Sequence, residues 1–191
     1  MPDFILASAS PRREDLLTQL GLSFQVMPGD VEEESIHAGS PRRLVEQLAY
    51  LKARSVSLRE PRLPVLGADT VVALGGKILG KPKSPRQAAA MLARLQGRSH
   101  RVYTGVALVH GLTGRAAVGS VMTRVWMRPL TLAEIQAYVA SGEPRDKAGS
   151  YGIQGRGGGL ISGIEGCYFN VVGLPLTLAV RMLREFGVEA F

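Results

Sequence analysis

The stretch VLGADTVVALGG, residues 65–76, decides how this chain is organised. Its first ten residues are almost all apolar and rich in valine, the composition of a β-strand. Gly75-Gly76 then supplies the two left-handed positions that a two-residue hairpin turn demands, and residues 77–79 read as a short return strand. A tight reversal makes an antiparallel pair. Working outward, residues 4–7 read as a short buried strand and Ala-Ser-Ala-Ser as a bend. A helix follows over 11–20, closed by Gly21, and 23–27 reads as a second strand. Residues 29–39 form a polar loop. An amphipathic helix is expected over 41–58, with Leu44, Leu48, Leu51 and Val56 on or near one stripe, before the prolines at 61 and 64 break the chain. Beyond the hairpin come a helix over 85–96 and two β-rich runs, 101–110 and 117–127, joined by HGLTGR. Thr131 caps a helix that runs to Ala140 and ends at Gly142. A glycine-rich segment with short strands spans 142–166, and a closing helix spans 174–186. Helices alternating with strands imply an α/β fold, and the hairpin signals make its sheet mixed rather than purely parallel.

The bulk numbers fit that picture. The 191 residues are 46% hydrophobic and 20% charged, enough apolar mass for a core and too little charge for disorder, so residues 1–191 read as a single domain, with room for two lobes. Net charge is +7, and lysine occurs only at 52, 77, 81, 83 and 147, so the excess is arginine, the better fork for phosphate oxygens. Such a balance favours acidic partners: nucleotides, nucleic acid or anionic lipid. Aromatic residues are only 6%, with no basic stripe interleaved among them, which argues against a stable nucleic-acid complex. Cys167 stands alone, so neither a disulfide framework nor a cysteine metal cluster is expected. His37, His100 and His110 show no zinc-ligand spacing. No apolar run approaches the roughly 18 residues of a membrane span. The arginines near the start follow FILASAS instead of preceding it, the wrong order for a secretory signal, so a cytoplasmic protein is expected.

A charge anomaly marks the first helix. In FILASASPRREDLL, residues 4–17, Ser10 is suited to cap the helix and Pro11 to open it. Arg12 and Arg13 then stand where the peptide dipoles are already positive, a placement costing roughly 0.3–1 kcal/mol each unless an anion is near. SPR recurs at 40–42 and 84–86, again opening expected helices, so solvated arginines in a favoured helix-start tripeptide are one reading. The other rests on the setting of the first copy. An apolar strand, then small residues, then a helix lets an anion approach backbone N–H groups closely.

Candidate chemistry begins with Asp69, the only charged residue among the fourteen at 63–76. A carboxylate in such a run must meet a cation, a metal or a proton. It either pairs or caps as a structural group or serves a functional site. Glu32-Glu33-Glu34 reads as a solvated run or, with Asp69, as an all-oxygen site for Mg²⁺ or Mn²⁺. Lys52 and Lys81 read as surface lysines or phosphate ligands. Residues 75–81 match seven positions of a Walker A loop, but Pro82 stands where the magnesium-binding hydroxyl belongs, which excludes a P-loop NTPase. In GEPRDKAGSYGIQGRGGG, residues 142–159, Gln154 offers both donor and acceptor to a nucleobase edge, or lies on a surface turn.

LASASPRR (6–13), GADT (67–70), GKP (80–82), YTG (103–105), DKAGSYGIQG (146–155) and GLPL (173–176), in that order, resemble the Maf family of nucleoside triphosphate pyrophosphatases, a family first linked to septum formation. The resemblance implies an ITPase-like α/β fold, a mixed twisted sheet with flanking helices and two lobes around a cleft. It implies cleavage between the α- and β-phosphates, a divalent metal and often a homodimer. By the same resemblance Asp69 is the catalytic carboxylate, Glu33 joins it at the metal, and Ser8, Arg13, Lys52 and Lys81 bind phosphate. Arg12, Thr70 and Gln154 match the discriminating residues of the dTTP/UTP class, where a sister class preferring 7-methyl-GTP carries Trp, Gln and Glu. The acidic loop departs from the family's Asp-Glu pair with Glu32-Glu33. A nucleotide- or nucleic-acid-binding regulator of cell division without turnover is the alternative.

Overall fold

In the computed structural model, which describes residues 1–36 and 38–190, the hairpin at Gly75-Gly76 forms as expected. Strand β3 (Pro64–Leu74) pairs antiparallel with β4 (Lys77–Leu79), setting Val72 opposite Leu79 and Leu74 opposite Lys77. Both turn glycines adopt positive φ, 55° and 80°, as a primed turn requires. On the other side β3 lies parallel to β1 (Phe4–Leu6), and β1 lies parallel to β2 (Phe24–Val26). The remaining strands are β5 (Ser99–His110), β6 (Ala116–Met127) and β7 (Ile161–Glu165). The seven-stranded sheet has the order β2-β1-β3-β5-β6-β7, with β4 on β3, and is mixed. His37 lies outside the described residues, so the zinc argument at that position has no structural counterpart.

Six helices accompany the sheet among the described residues: α1 (Pro11–Gln19), α2 (Pro41–Ser57), α3 (Pro85–Leu95), α4 (Leu132–Ala140), α5 (Tyr168–Val172) and α6 (Leu176–Glu185). The chain divides into two compact units. The first comprises residues 1–69 and 104–121 and the segment from Gly173 onward, with a core that includes Ile5, Ala49, Ala53, Val65 and Ala107. The second comprises residues 70–103 and 122–172, with a core that includes Val72, Leu92, Val125, Ile135 and Tyr138. Within the first unit, α2 rides unusually close on the strands. A Cβ on Gly67 would lie 2.2 Å from the Ala49 carbonyl oxygen, and one on Gly105 would lie 2.2 Å from that of Val45. Only glycine fits either place, which explains the glycines of GADT and YTG by packing. No helix among the described residues is long and apolar enough to cross a membrane.

The three SPR helix starts divide in a way their sequences do not show. Ser40 and Ser84 cap their helices, accepting the N–H groups of Arg43 and Gln87. Ser10 makes no side-chain cap. Its own N–H instead donates to Ser8 Oγ at 3.3 Å. Ser84→Ala should therefore cost about 1 kcal/mol and Ser10→Ala only a few tenths, measured as urea-unfolding midpoints at constant m-value.

Two further boundaries differ from expectation. The closing helix starts at Leu176 rather than 174, because Gly173 (φ 132°) and Pro175 separate it from the short α5. The segment 142–166 holds 3₁₀ turns at Glu143–Asp146, Ala148–Ser150 and Gly155–Leu160 before β7. Turns this short carry no periodic apolar stripe, so pattern reading passes over them.

In the second unit His100 is 2% exposed, and its Nε2 lies 2.6 Å from the Tyr151 hydroxyl. Burial lowers its pKa from 6.5 to about 4. The unfolded chain takes up a proton near the ordinary value, whereas the folded chain does so only near pH 4. Stability is therefore full above that window and falls as pH drops through it, by about 3 kcal/mol for this group. Chemical denaturation at about pH 7 and about pH 4, the two ends of that window, should show that loss reduced in His100→Asn.

Candidate active site

The turn from β1 into α1 is built around Ser8. Strand β1 is fully buried, so its end delivers Ala7 and Ser8 to the interior, where Ser8 is 7% exposed. The Ser8 hydroxyl oxygen accepts the Ser10 N–H and, at 2.9 Å, Nη1 of Arg13. Arg13 is itself 9% exposed, and its Nε donates to the Gly173 carbonyl at 2.8 Å. Burial lowers its pKa, Asp69 and Glu33 oppose that, and neighbouring Arg12 adds to it. Part of the anion that the first helix called for thus belongs to the protein. Arg12, next along the helix, is half-buried.

Asp69 ends the buried stretch of β3 in this unit and is 7% exposed. The close seating of α2 places Lys52, one turn beyond Ala49, against it, with Lys52 Nζ 2.7 Å from Asp69 Oδ1. The same ammonium lies 2.6 Å from Glu33 Oε1, which projects from a 3₁₀ turn at Glu33–Ser35 in the acidic loop. Burial raises the pKa of Asp69, while Lys52 and Arg13 lower it without reversing the shift. Ser8, Arg13, Glu33, Lys52 and Asp69 are therefore brought together, two carboxylates around two fixed cations. Of the three consecutive glutamates in the loop, it is Glu33 that is seen to reach Lys52.

The donor chemistry suits a hard divalent ion. Two carboxylate oxygens converge on one cationic point, and such ions take one or two carboxylates and complete their shell with water and substrate phosphate. Among the described residues no group of three or more His, Cys, Asp or Glu gathers as a metal cage.

Thr70, Lys81 and Gln154 belong to the second unit. Thr70 is half-buried on β3, Lys81 is exposed between β4 and α3, and Gln154 is exposed at the start of the 155–160 turn. That turn is held by a network the sequence did not disclose. Glu143 accepts the N–H groups of Arg156 and Gly157, both at 3.0 Å, and the hydroxyl of Tyr138 at 2.8 Å. Burial works to raise the Glu143 pKa, but these three donors hold it below the usual carboxylate value. Lys147 donates to the Glu143 carbonyl and to Asp146. The Gly173 carbonyl and Glu143 both act across long stretches of chain, and no local motif signals either.

Hard oxygen donors and fixed cations on a mixed α/β sheet are the equipment of a protein that handles phosphate groups. The chain belongs to the Maf family: the family described as Maf-like protein matches residues 3–186. It is 53% identical over its whole length to a dTTP/UTP pyrophosphatase of Symbiobacterium thermophilum, covering 97% of that protein. It is 52% identical to a dTTP/UTP pyrophosphatase of Moorella thermoacetica, over all of this chain and 98% of that one. A third, from Gloeobacter violaceus, shares 52% identity over 98% of this chain and 97% of that one.

Proposed function

We propose that this chain is a nucleoside triphosphate pyrophosphatase that hydrolyses dTTP and UTP to the monophosphate and pyrophosphate, clearing unwanted nucleotides from the cytoplasm. The observation that carries the reading is Lys52 held between Asp69 and Glu33 beside the Ser8–Arg13 turn. Relatives named for that activity share about half of the sequence over its full length.

Each residue has a role that its surroundings suit. Arg12, the Ser8 turn braced by Arg13, and Lys52 and Lys81 neutralise the triphosphate, which is most of the work in phosphoryl chemistry. Asp69 and Glu33 would hold a divalent ion (Mg²⁺ or Mn²⁺). Bound there, that ion would neutralise phosphate charge and make a water more acidic. Asp69, its carboxyl raised by burial, accepts the proton of the attacking water. The water oxygen bonds to the α-phosphorus as the bond to the bridging oxygen breaks, and pyrophosphate leaves. On the base side, Gln154 can accept the ring N–H of uracil or thymine and donate to a flanking carbonyl, and the family resemblance assigns Arg12 and Thr70 to recognition as well. The family reading adds a homodimer, which sedimentation would check.

The test is a nucleotide panel with Mg²⁺. dTTP and UTP should yield monophosphate and pyrophosphate one to one. Release of orthophosphate instead, or tight dTTP binding with no product, would overturn the reading, the second result favouring a regulator without turnover.

A further inference from the structure

The 155–160 turn lacks the cap it should have. Its N-cap residue is Gln154, in extended conformation (φ −89°, ψ 167°), and the Gln154 side chain makes no capping bond. A helical start normally satisfies its early N–H groups with the N-cap side chain. Here they are satisfied from elsewhere, since Glu143 Oε2 takes the N–H of Arg156 and Oε1 takes that of Gly157. The same pair secures the near side of the loop, where Tyr138 Oη accepts the N–H of Gly152 at 3.2 Å while donating to Glu143. The chain wraps these two side chains closely. A Cβ on Gly157 would lie 2.5 Å from Tyr138 Oη, and one on Gly155 would lie 3.1 Å from Glu143 Oε2. Tyr138 is in turn fixed on α4, which opens with a capping box between Thr131 and Glu134.

We infer that Glu143, braced by Tyr138, is a positioning residue for nucleotide selection: by capping the 155–160 turn in place of Gln154, it holds the backbone on both sides of Gln154 and leaves that carboxamide to read the base. The inference rests on the proposed pyrimidine triphosphate pyrophosphatase activity and deepens it at the base side. Reading uracil against cytosine depends on where one donor and one acceptor are held, because the two bases present opposite hydrogen-bonding groups at the same edge. A loop untied at Gly152, Arg156 and Gly157 lets the carboxamide wander between productive and unproductive positions. The cost falls on recognition of the base and spares the phosphates, which are held by other residues.

The experiment is a double-mutant cycle read with UTP and CTP. Glu143→Gln keeps the side-chain shape but turns one of the two acceptor oxygens into a donor facing an N–H. It should raise KM for UTP about tenfold with kcat within about twofold, and lower the UTP-to-CTP ratio of kcat/KM by a similar factor. In a Gln154→Ala background that ratio has already fallen, and adding Glu143→Gln should lower it no further. Equal losses on both nucleotides, or the same further fall without Gln154, would overturn the inference by showing only structural damage. A Gln154→Ala enzyme with the wild-type ratio would remove the base-reading role and the inference with it, while pyrophosphate release from UTP would still stand. Should Glu143→Gln fail to fold, Tyr138→Phe, which deletes only the bracing hydroxyl, is read by the same ratio with the same expected direction.

Discussion

Asp69→Asn is expected to lower kcat for dTTP with Mg²⁺ by about a thousandfold or more, because in the proposed mechanism it removes the proton acceptor and a carboxylate that would hold the metal at once. The fold should survive the change. Burial raises the Asp69 pKa, so the folded protein binds that proton more tightly than the unfolded chain does. Stability from this group is thus greatest at low pH and lost as pH rises through the carboxylate range. At neutral pH the ionised Asp69 works against folding, and an uncharged Asn does not. Lys52 keeps Glu33 as a partner. The expected pair of results is a silent enzyme with a melting temperature at or above that of the wild type. Near-full pyrophosphate release by Asp69→Asn would sink the catalytic assignment. A collapsed melting temperature would show that the carboxylate is there for stability.

Arg13→Ala should behave in the opposite way and lose stability first. Its guanidinium is nearly enclosed, bonded to Ser8 Oγ and to the Gly173 carbonyl, and lies in the field of Asp69. Truncation leaves a buried carbonyl and a buried carboxylate without that cation, a class of change costing about 3–5 kcal/mol. For a chain of this size that corresponds to about a 10–15 °C fall in melting temperature. Arg13→Lys should recover only part of it, because an ammonium on a flexible stem cannot reproduce a fork that donates from Nε and Nη1 in two directions. A melt within about 2 °C of wild type for Arg13→Ala would mean that the interior accommodates the loss and that Arg13 is held for the substrate alone.

The two arginines at the first helix show where sequence reading reaches its limit. The surplus of positive charge at that helix start is legible because the dipole argument is local, but the strings SPR at 10–12, 40–42 and 84–86 are indistinguishable. Two of the serines cap and the third does not; at the first site the Ser10 N–H donates to Ser8 Oγ instead. Likewise Asp69 stands out as a charge in an apolar strand, yet its partners could not be named from its neighbours. The acidic run offered three glutamates; residue chemistry could not choose among them, the family resemblance pointed to Glu33, and the path of the loop brings Glu33 to Lys52. Gln154 attracted notice for its chemistry, whereas Glu143, eleven positions earlier in a segment without periodicity, gave no sign of bonding the backbone just after it.

From residue order alone came the mixed α/β class, most element positions, the hairpin at Gly75-Gly76 and the residues proposed to carry the chemistry. All of these follow from interactions within a few residues, such as side-chain periodicity, turn chemistry and helix dipoles, or from motifs shared with the Maf family. Tertiary structure alone decided that Arg13 bonds a carbonyl 160 residues away, that Lys52 lies between Asp69 and Glu33, and that Glu143 caps a turn it does not belong to. Those pairings depend on how closely elements pack, as where α2 presses on Gly67 and Gly105. A distance of that kind is set by the shape of the folded chain and written in no single stretch of it.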